Sequence, residues 1–169
     1  MVEMKIFGLA VDEKAQSPVL ILKDESQDLA LPIWIGPVEA MAISLAINGV
    51  DTPRPMTHDL VIREAEALGA SVHSAEIISL SKGTFYAELV LLRSTGGKDS
   101  FMRVDCRPSD AVAVAARAGV RILVSEAVLA EAGTRTLKGV RATGAADTER
   151  DKWTDELDNL SPDDVKYKM

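Results

Sequence analysis

A chain of 169 residues, 47% hydrophobic and 27% charged, suits one globular domain with a real core and is short for two. Its net charge of −7 excludes the basic surface on which tight, passive nucleic-acid binders depend for counterion release, although an enzyme touching a few phosphates remains compatible with it. No run approaches the roughly 20 apolar residues of a membrane helix, the first residues lack a signal-peptide pattern, and the single cysteine, Cys106, rules out a disulfide framework or a cysteine zinc site.

These features lead us to expect a cytoplasmic protein. The acidity is spread along the chain. Residues 147–169 carry eight acids and four bases, and the remainder eighteen and fifteen, so neither part is basic.

Three apolar runs open the chain, Met4–Val11, Pro18–Lys23 and Leu29–Ile35. Their β-branched content and the polar breaks between them predict three strands joined by hairpin-like turns. Trp34, at the end of the third, is expected in the core. Gly36-Pro37 stops the sheet and starts a largely buried helix over Val38–Ile47, closed by Asn48-Gly49.

A proline-broken connection, Val50–Met56, leads to a second helix, Thr57–Leu68. Thr57 is its expected N-cap, and Asp59 lies in its first turn, where the helix dipole favours a carboxylate.

A shift of 71 residues then lays the chain over itself. Lys5–Leu9 falls on Glu76–Leu80, Val19–Leu22 on Val90–Arg93, and Leu31 and Ile33 on Met102 and Val104. Pro37, Glu39, Ala40, Ala42 and Ile43 fall on Pro108, Asp110, Ala111, Ala113 and Val114. Apolar matches alone are cheap, but a proline, an acid and two alanines in one frame are not.

The expected fold is therefore α+β, a mixed sheet formed by internal duplication of a β-β-β-α unit with extra helices. A short strand, Arg121–Val124, and a helix from near Ser125 to Gly133 follow the second unit. The domain is expected over residues 1–133, with a flexible Gly/Thr/Ala-rich linker at 134–150. Residues 151–169 form an acidic tail with Trp153, Leu157 and Leu160 at helical spacing.

Two segments could carry chemistry. Arg54-Pro55-Met56-Thr57-His58-Asp59 puts a guanidinium, an imidazole and a carboxylate at a helix start, itself a natural anion site. Read plainly, Thr57 and Asp59 cap the helix and His58 faces solvent.

In Asp105-Cys106-Arg107-Pro108-Ser109-Asp110, Arg107 could grip a phosphate in bidentate fashion, and Asp105 and Asp110 could bind a metal. Read plainly, Ser109 and Asp110 complete the helix start while Arg107 pairs with Asp105. The first unit offers Glu39 at the matching place, with Gly36 where the arginine would be. Cys106 is expected to be a buried structural thiol. One of the adjacent strand residues Phe85 and Tyr86 should face the core. His73 carries no motif.

Leu31-Pro32-Ile33-Trp34-Ile35-Gly36-Pro37-x-Glu39-Ala40, Arg54-Pro55-x-Thr57-His58-Asp59-Leu60, Gly83–Ala87 and Arg107-Pro108-Ser109-Asp110-Ala111 resemble, in order and spacing, the signature blocks of the bifunctional nuclease family. The resemblance covers residues 3–131. It implies a nuclease (hydrolase) acting on both RNA and DNA as substrates, a mixed α+β fold and self-association into a homo-oligomer.

Two mechanisms suit such a reaction, and the metal-assisted one, which serves RNA and DNA equally because it needs no 2′-OH, is expected. In one, Glu39, Asp59, Asp105 and Asp110 are candidate ligands for magnesium or manganese ions that activate water, with Asp59, Asp105 and Asp110 the leading set. In the other, His58 moves the proton while Arg54 and Arg107, helped by Ser109, hold the phosphate and stabilise its charge. The rival classes are a non-catalytic anion- or nucleotide-binding module on the same helix starts, and a regulatory oligomeric protein.

Overall fold

A computed structural model describes residues 1–12, 15–24, 29–135 and 140–143. Three strands, β1 (Val2–Asp12), β2 (Ser17–Asp24) and β3 (Leu29–Trp34), pair in antiparallel order and lead into α1 (Pro37–Ile47). After α2 (Thr57–Ala67), three more antiparallel strands follow, β4 (Ser71–Ser81), β5 (Thr84–Thr95) and β6 (Lys98–Cys106), and lead into α3 (Pro108–Ala118). Then come β7 (Arg121–Val124), α4 (Glu126–Ala132) and β8 (Val140–Thr143).

β7 joins the two sets of strands. It pairs antiparallel with the start of β1 and parallel with β4, so the sheet is mixed and runs β3-β2-β1-β7-β4-β5-β6. The fold is α+β, as the strand and helix patterns require.

The order strand-strand-strand-helix occurs twice. α1 and α3 are both eleven residues long, and both open on the prolines that the 71-residue frame aligns. The strand that opens each set carries an irregularity in its pairing, between Ile6 and Gly8 in β1 and between Ile77 and Ser79 in β4, the same place in that frame. The hairpins differ. β4 and β5 close over Lys82-Gly83, both at positive φ, a turn whose twist suits adjacent strands and which glycine accepts without strain. Descent of the two sets from one ancestral unit stays an expectation.

Leu20, Leu22, Leu31 and Ile33 from the first set and Ala75, Ile77, Ala87 and Leu89 from the second share one core. Ile43 of α1 and Ala111–Ala115 of α3 join it, as do Val128 and Leu129 of α4. The small alanine side chains let α1 and α3 approach closely. Ser125 caps α4 by accepting the Val128 N–H at 3.2 Å, and Gly133 ends it.

α1, read as largely buried, packs mainly on α3 and β2 and buries only Ala42 and Ile43, leaving Val38 and Ile47 exposed. Four further expectations need revision. Trp34 is 52% exposed, because strand alternation turns it to the face opposite the core-facing Leu31 and Ile33, where the indole N–H donates across the sheet to Asp12 Oδ2 at 3.0 Å. Thr57 is the first helical residue of α2 and not its cap. Met56 holds that place, and its N–H is satisfied by Asp59 Oδ2 at 2.8 Å. Arg107 pairs with Asp110, not with Asp105.

The fourth is β8, which lies within the segment read as a linker and pairs antiparallel with Leu9–Asp12, the half of β1 that β7 leaves free. The tail at 151–169 lies outside the described residues. Phe85 packs against the core and Tyr86 is exposed. Among the described residues no helix is long and apolar enough to cross a membrane.

Candidate functional site

The starts of α1, α2 and α3 are brought together because α3 packs against both other helices. Each start supplies charge. Pro37 and Pro108 fix the backbone at the first helical position, where a missing N–H costs no hydrogen bond. That leaves Glu39 and Asp110 in first turns, where a carboxylate meets the positive end of the helix dipole. His58 and Asp59 occupy the first turn of α2.

Arg107, the residue before α3, ties the group together. Its Nε and Nη2 donate to Asp110 Oδ2 and Oδ1 at 2.8 and 3.0 Å, a bidentate fork, and its Nη1 donates to Glu39 Oε1 at 2.7 Å. The side chain is still 65% exposed. A guanidinium has five N–H donors, so two remain free to face solvent. The Glu39 carboxylate is folded back over Gly36, where a β-carbon would meet Oε2, so any larger residue there would require the Glu39 carboxylate to shift.

His58 Nε2 lies 3.5 Å from Asp110 Oδ1 with its side chain 14% exposed. That is long for a hydrogen bond, as catalytic contacts often are before substrate tightens them.

Charge sets the protonation of the group. Glu39's carboxyl is held below its ordinary range by its own backbone N–H and then by Arg107. Partial burial pushes Asp110's carboxyl upward, but the Arg107 fork and His58 outweigh it and leave it low. Asp110 first, then Glu39, raise Arg107 further into its charged form. Cys106, just before Arg107, is pushed up to about 11, mainly by burial and then by the Asp110 charge, so it stays a thiol at neutral pH.

The remaining expected site residues lie apart from this cluster. Asp59 turns away from it, its Oδ1 accepting from Arg117 Nη1 at 2.9 Å and its Oδ2 from the Met56 N–H. Asp105 is exposed on β6, in register with Glu88. Strand alternation points it away from the face that Cys106 takes, and no hydrogen bond or ion pair joins it to the cluster among the described residues. Ser109 is 6% exposed, packed beneath the helix start. Arg54 is exposed in the connection before α2, and no ion pair engages its side chain among the described residues.

Arg117 is a member of the arrangement that sequence reasoning missed. Its signal was an arginine in helical phase with Asp110, in a helix otherwise rich in alanine and valine.

A divalent ion such as magnesium or manganese needs several oxygens converging on one point. Among the described residues no three His, Cys, Asp or Glu side chains are grouped to hold a metal ion. Both oxygens of Asp59, and both of Asp110, already accept bonds from nitrogen donors. The donors as arranged do not fit a divalent ion. They do fit an anion placed against the two remaining N–H groups of Arg107.

A family model described as the bifunctional nuclease domain matches residues 20–136. An uncharacterized protein of Mycobacterium tuberculosis is 43% identical over 169 residues, covering 98% of this chain and 99% of that protein. The bifunctional nuclease of Oryza minuta is 25% identical over 157 residues, 92% of this chain and 46% of that protein. Bifunctional nuclease 2 of Arabidopsis thaliana is 27% identical over 121 residues, 72% of this chain and 36% of that protein. The chain spans less than half the length of these plant relatives.

Proposed function

The chain belongs to the bifunctional nuclease domain family, and from that premise we propose that it hydrolyses phosphodiester bonds in RNA and DNA at the meeting of the three helix starts. The observation that carries this reading is the Arg107 bridge between Glu39 and Asp110, with His58 beside Asp110.

In this mechanism the two free N–H groups of Arg107 hold a non-bridging phosphate oxygen and stabilise the charge that grows on it during attack. Glu39 and Asp110 fix the plane of the guanidinium, so no reorganisation is needed at the moment of reaction. His58 accepts the proton of the attacking water as its oxygen bonds to phosphorus, and Asp110 orients the imidazole and steadies the imidazolium it becomes; the P–O bond to the opposite sugar oxygen breaks, and that leaving oxygen takes a proton from solvent water. Water as nucleophile makes the 2′-OH unnecessary, which suits action on both nucleic acids. To Arg54, exposed in the connection before α2, we assign a charge contact with a phosphate of the flanking strand.

Magnesium or manganese assistance, the other route open from the sequence, would require Asp110 to be released from Arg107 first. No step is assigned to an ion here. The same guanidinium could hold an anion without turnover.

The test is hydrolysis of single-stranded RNA and DNA by purified protein with magnesium, with manganese and with EDTA, beside His58→Gln and Asp110→Asn. Turnover in EDTA that both variants reduce at least tenfold supports the reading. Turnover only with metal would reassign the acids as ligands, and saturable binding without turnover would leave an anion-binding module.

Self-association into a homo-oligomer is part of the same proposal. Among the described residues β6 pairs with β5 alone and forms an edge of the sheet, with Phe101, Met102 and Val104 exposed, the kind of strand that a second copy can cover. Light scattering should give a mass above one chain, and Val104→Lys should reduce it. A monomer at tens of micromolar would refute this part.

A further inference from the structure

Arg117 sits in the last turn of α3, two helical turns beyond Asp110, and its side chain is only 11% exposed. Side chains on a helix lean toward its N-terminus, and Arg117 uses that lean to reach the start of α2. Its Nη1 donates to Asp59 Oδ1 at 2.9 Å, and its Nη2 lies 3.7 Å from the Met56 sulfur. Asp59 passes the grip on by accepting the Met56 N–H. Arg117 therefore holds both residues that bracket Thr57-His58.

His58, adjacent to Asp59, reaches toward the other end of α3, to Asp110. Two neighbouring residues of α2 are thus fastened to α3 at separate points.

This ion pair is a poor device for stability alone. Charges taken out of water recover little beyond what well-packed apolar side chains would give, and the Arg117 Nε–H is buried without an acceptor among the described residues. What a directional ion pair does better than an apolar contact is fix one element against another at a single register. Among the described residues the guanidinium is partnered by Met56 and Asp59, so the register it fixes is that of α2's first turn.

We propose that Arg117 is a positioning residue that locks the first turn of α2 on α3 and so holds His58 beside Asp110. It touches no substrate. The proposal rests on the reading of His58 as the proton-transfer group.

The test has one arm that needs no nuclease activity. Wild-type protein, Arg117→Met and Arg117→Lys are treated with diethyl pyrocarbonate, and modification at His58 and His73 is followed by mass spectrometry. His73, on β4, meets Phe101 of β6 edge-on and makes no contact with Arg117 or Asp59 among the described residues, so it reports global loosening. We expect His58 to react at least threefold faster in Arg117→Met, His73 to be unchanged, and Arg117→Lys to fall between wild type and Arg117→Met.

In the kinetic arm, Arg117→Met should lower kcat at least tenfold with KM within about twofold, because substrate contacts are untouched. Lysine should restore part of kcat. Unchanged His58 labelling, or equal increases at both histidines, would overturn the proposal. If Arg117→Met does not fold, the pair Asp59→Asn with Arg117→Met leaves no buried charge unpaired and takes its place under the same criteria. Normal labelling changes in a protein without nuclease activity would instead count against the function and leave the positioning role standing.

Discussion

Replacing Arg107 by lysine separates the ionic bridge from the phosphate contact. In the structure the guanidinium already spends three donors on three carboxylate oxygens, Glu39 Oε1 and both oxygens of Asp110. Arginine has five N–H donors and retains two; lysine has three and retains none. Lysine can therefore satisfy the carboxylates and still have nothing left for substrate.

The stability cost should be small. The side chain is 65% exposed, and exposed ion pairs contribute about 0–1 kcal/mol each, so a loss of less than ~1 kcal/mol and a few degrees of melting temperature is expected. Removing a donor aimed at developing charge costs far more, about 2.7–4 kcal/mol, or roughly 100- to 1000-fold in rate. The assay pairs thermal melts with kcat/KM on single-stranded substrate. If Arg107→Lys keeps more than about a third of wild-type kcat/KM, the guanidinium is not the phosphate contact and the reasoning fails.

Two further outcomes follow from the lowered carboxyls and the raised thiol. Glu39 and Asp110 titrate below their ordinary values of 4.5 and 3.8, so the stability they confer is present above that range and is lost as pH falls through their lowered folded values. Urea melts should show stability declining below about pH 4, and Glu39→Gln should flatten that slope; an identical slope would show that the bridge is not what holds the acids ionised. Cys106, raised from 9.0 to about 11, should react with iodoacetamide at about pH 8 on the order of a hundredfold more slowly than in unfolded chain. Its contribution to stability should fade as pH rises from 9 toward 11, and fast alkylation of folded protein would contradict the burial that causes the shift.

Local chemistry made much of this molecule legible in the sequence. Pro37 and Pro108 announced two helices because proline fits the first helical position, and Ser125 and Gly133 bounded α4 for equally local reasons. Trp34 was misjudged because apolar character does not say which face of its strand meets the core, and alternation gives that face to Leu31 and Ile33. The lock on α2 was hidden for a related reason. Asp59 reads as a helix-start acid at any distance from an arginine, and its partner is 58 residues away. Similarly, Glu39 and Arg107 are 68 residues apart, and only the packing of α1 on α3 makes them one site. Types of side chain were visible from the sequence; their meeting was not.

The position of β7 has a consequence for how the chain reaches this state. β1 is made first, yet in the sheet its route to β4 runs through a strand that begins at residue 121. At roughly 5–20 residues per second of synthesis, the first three strands must wait several seconds as a separate antiparallel meander. The edge of β1 meant for β7 and β8 stays open all that time. Closing that seam joins the two ends of the domain across the longest loop in the fold, so it belongs late in folding, when loop entropy has already been reduced by the second set of strands. A mutation that weakens β7, such as one at the buried Val124, should therefore speed unfolding far more than it slows folding.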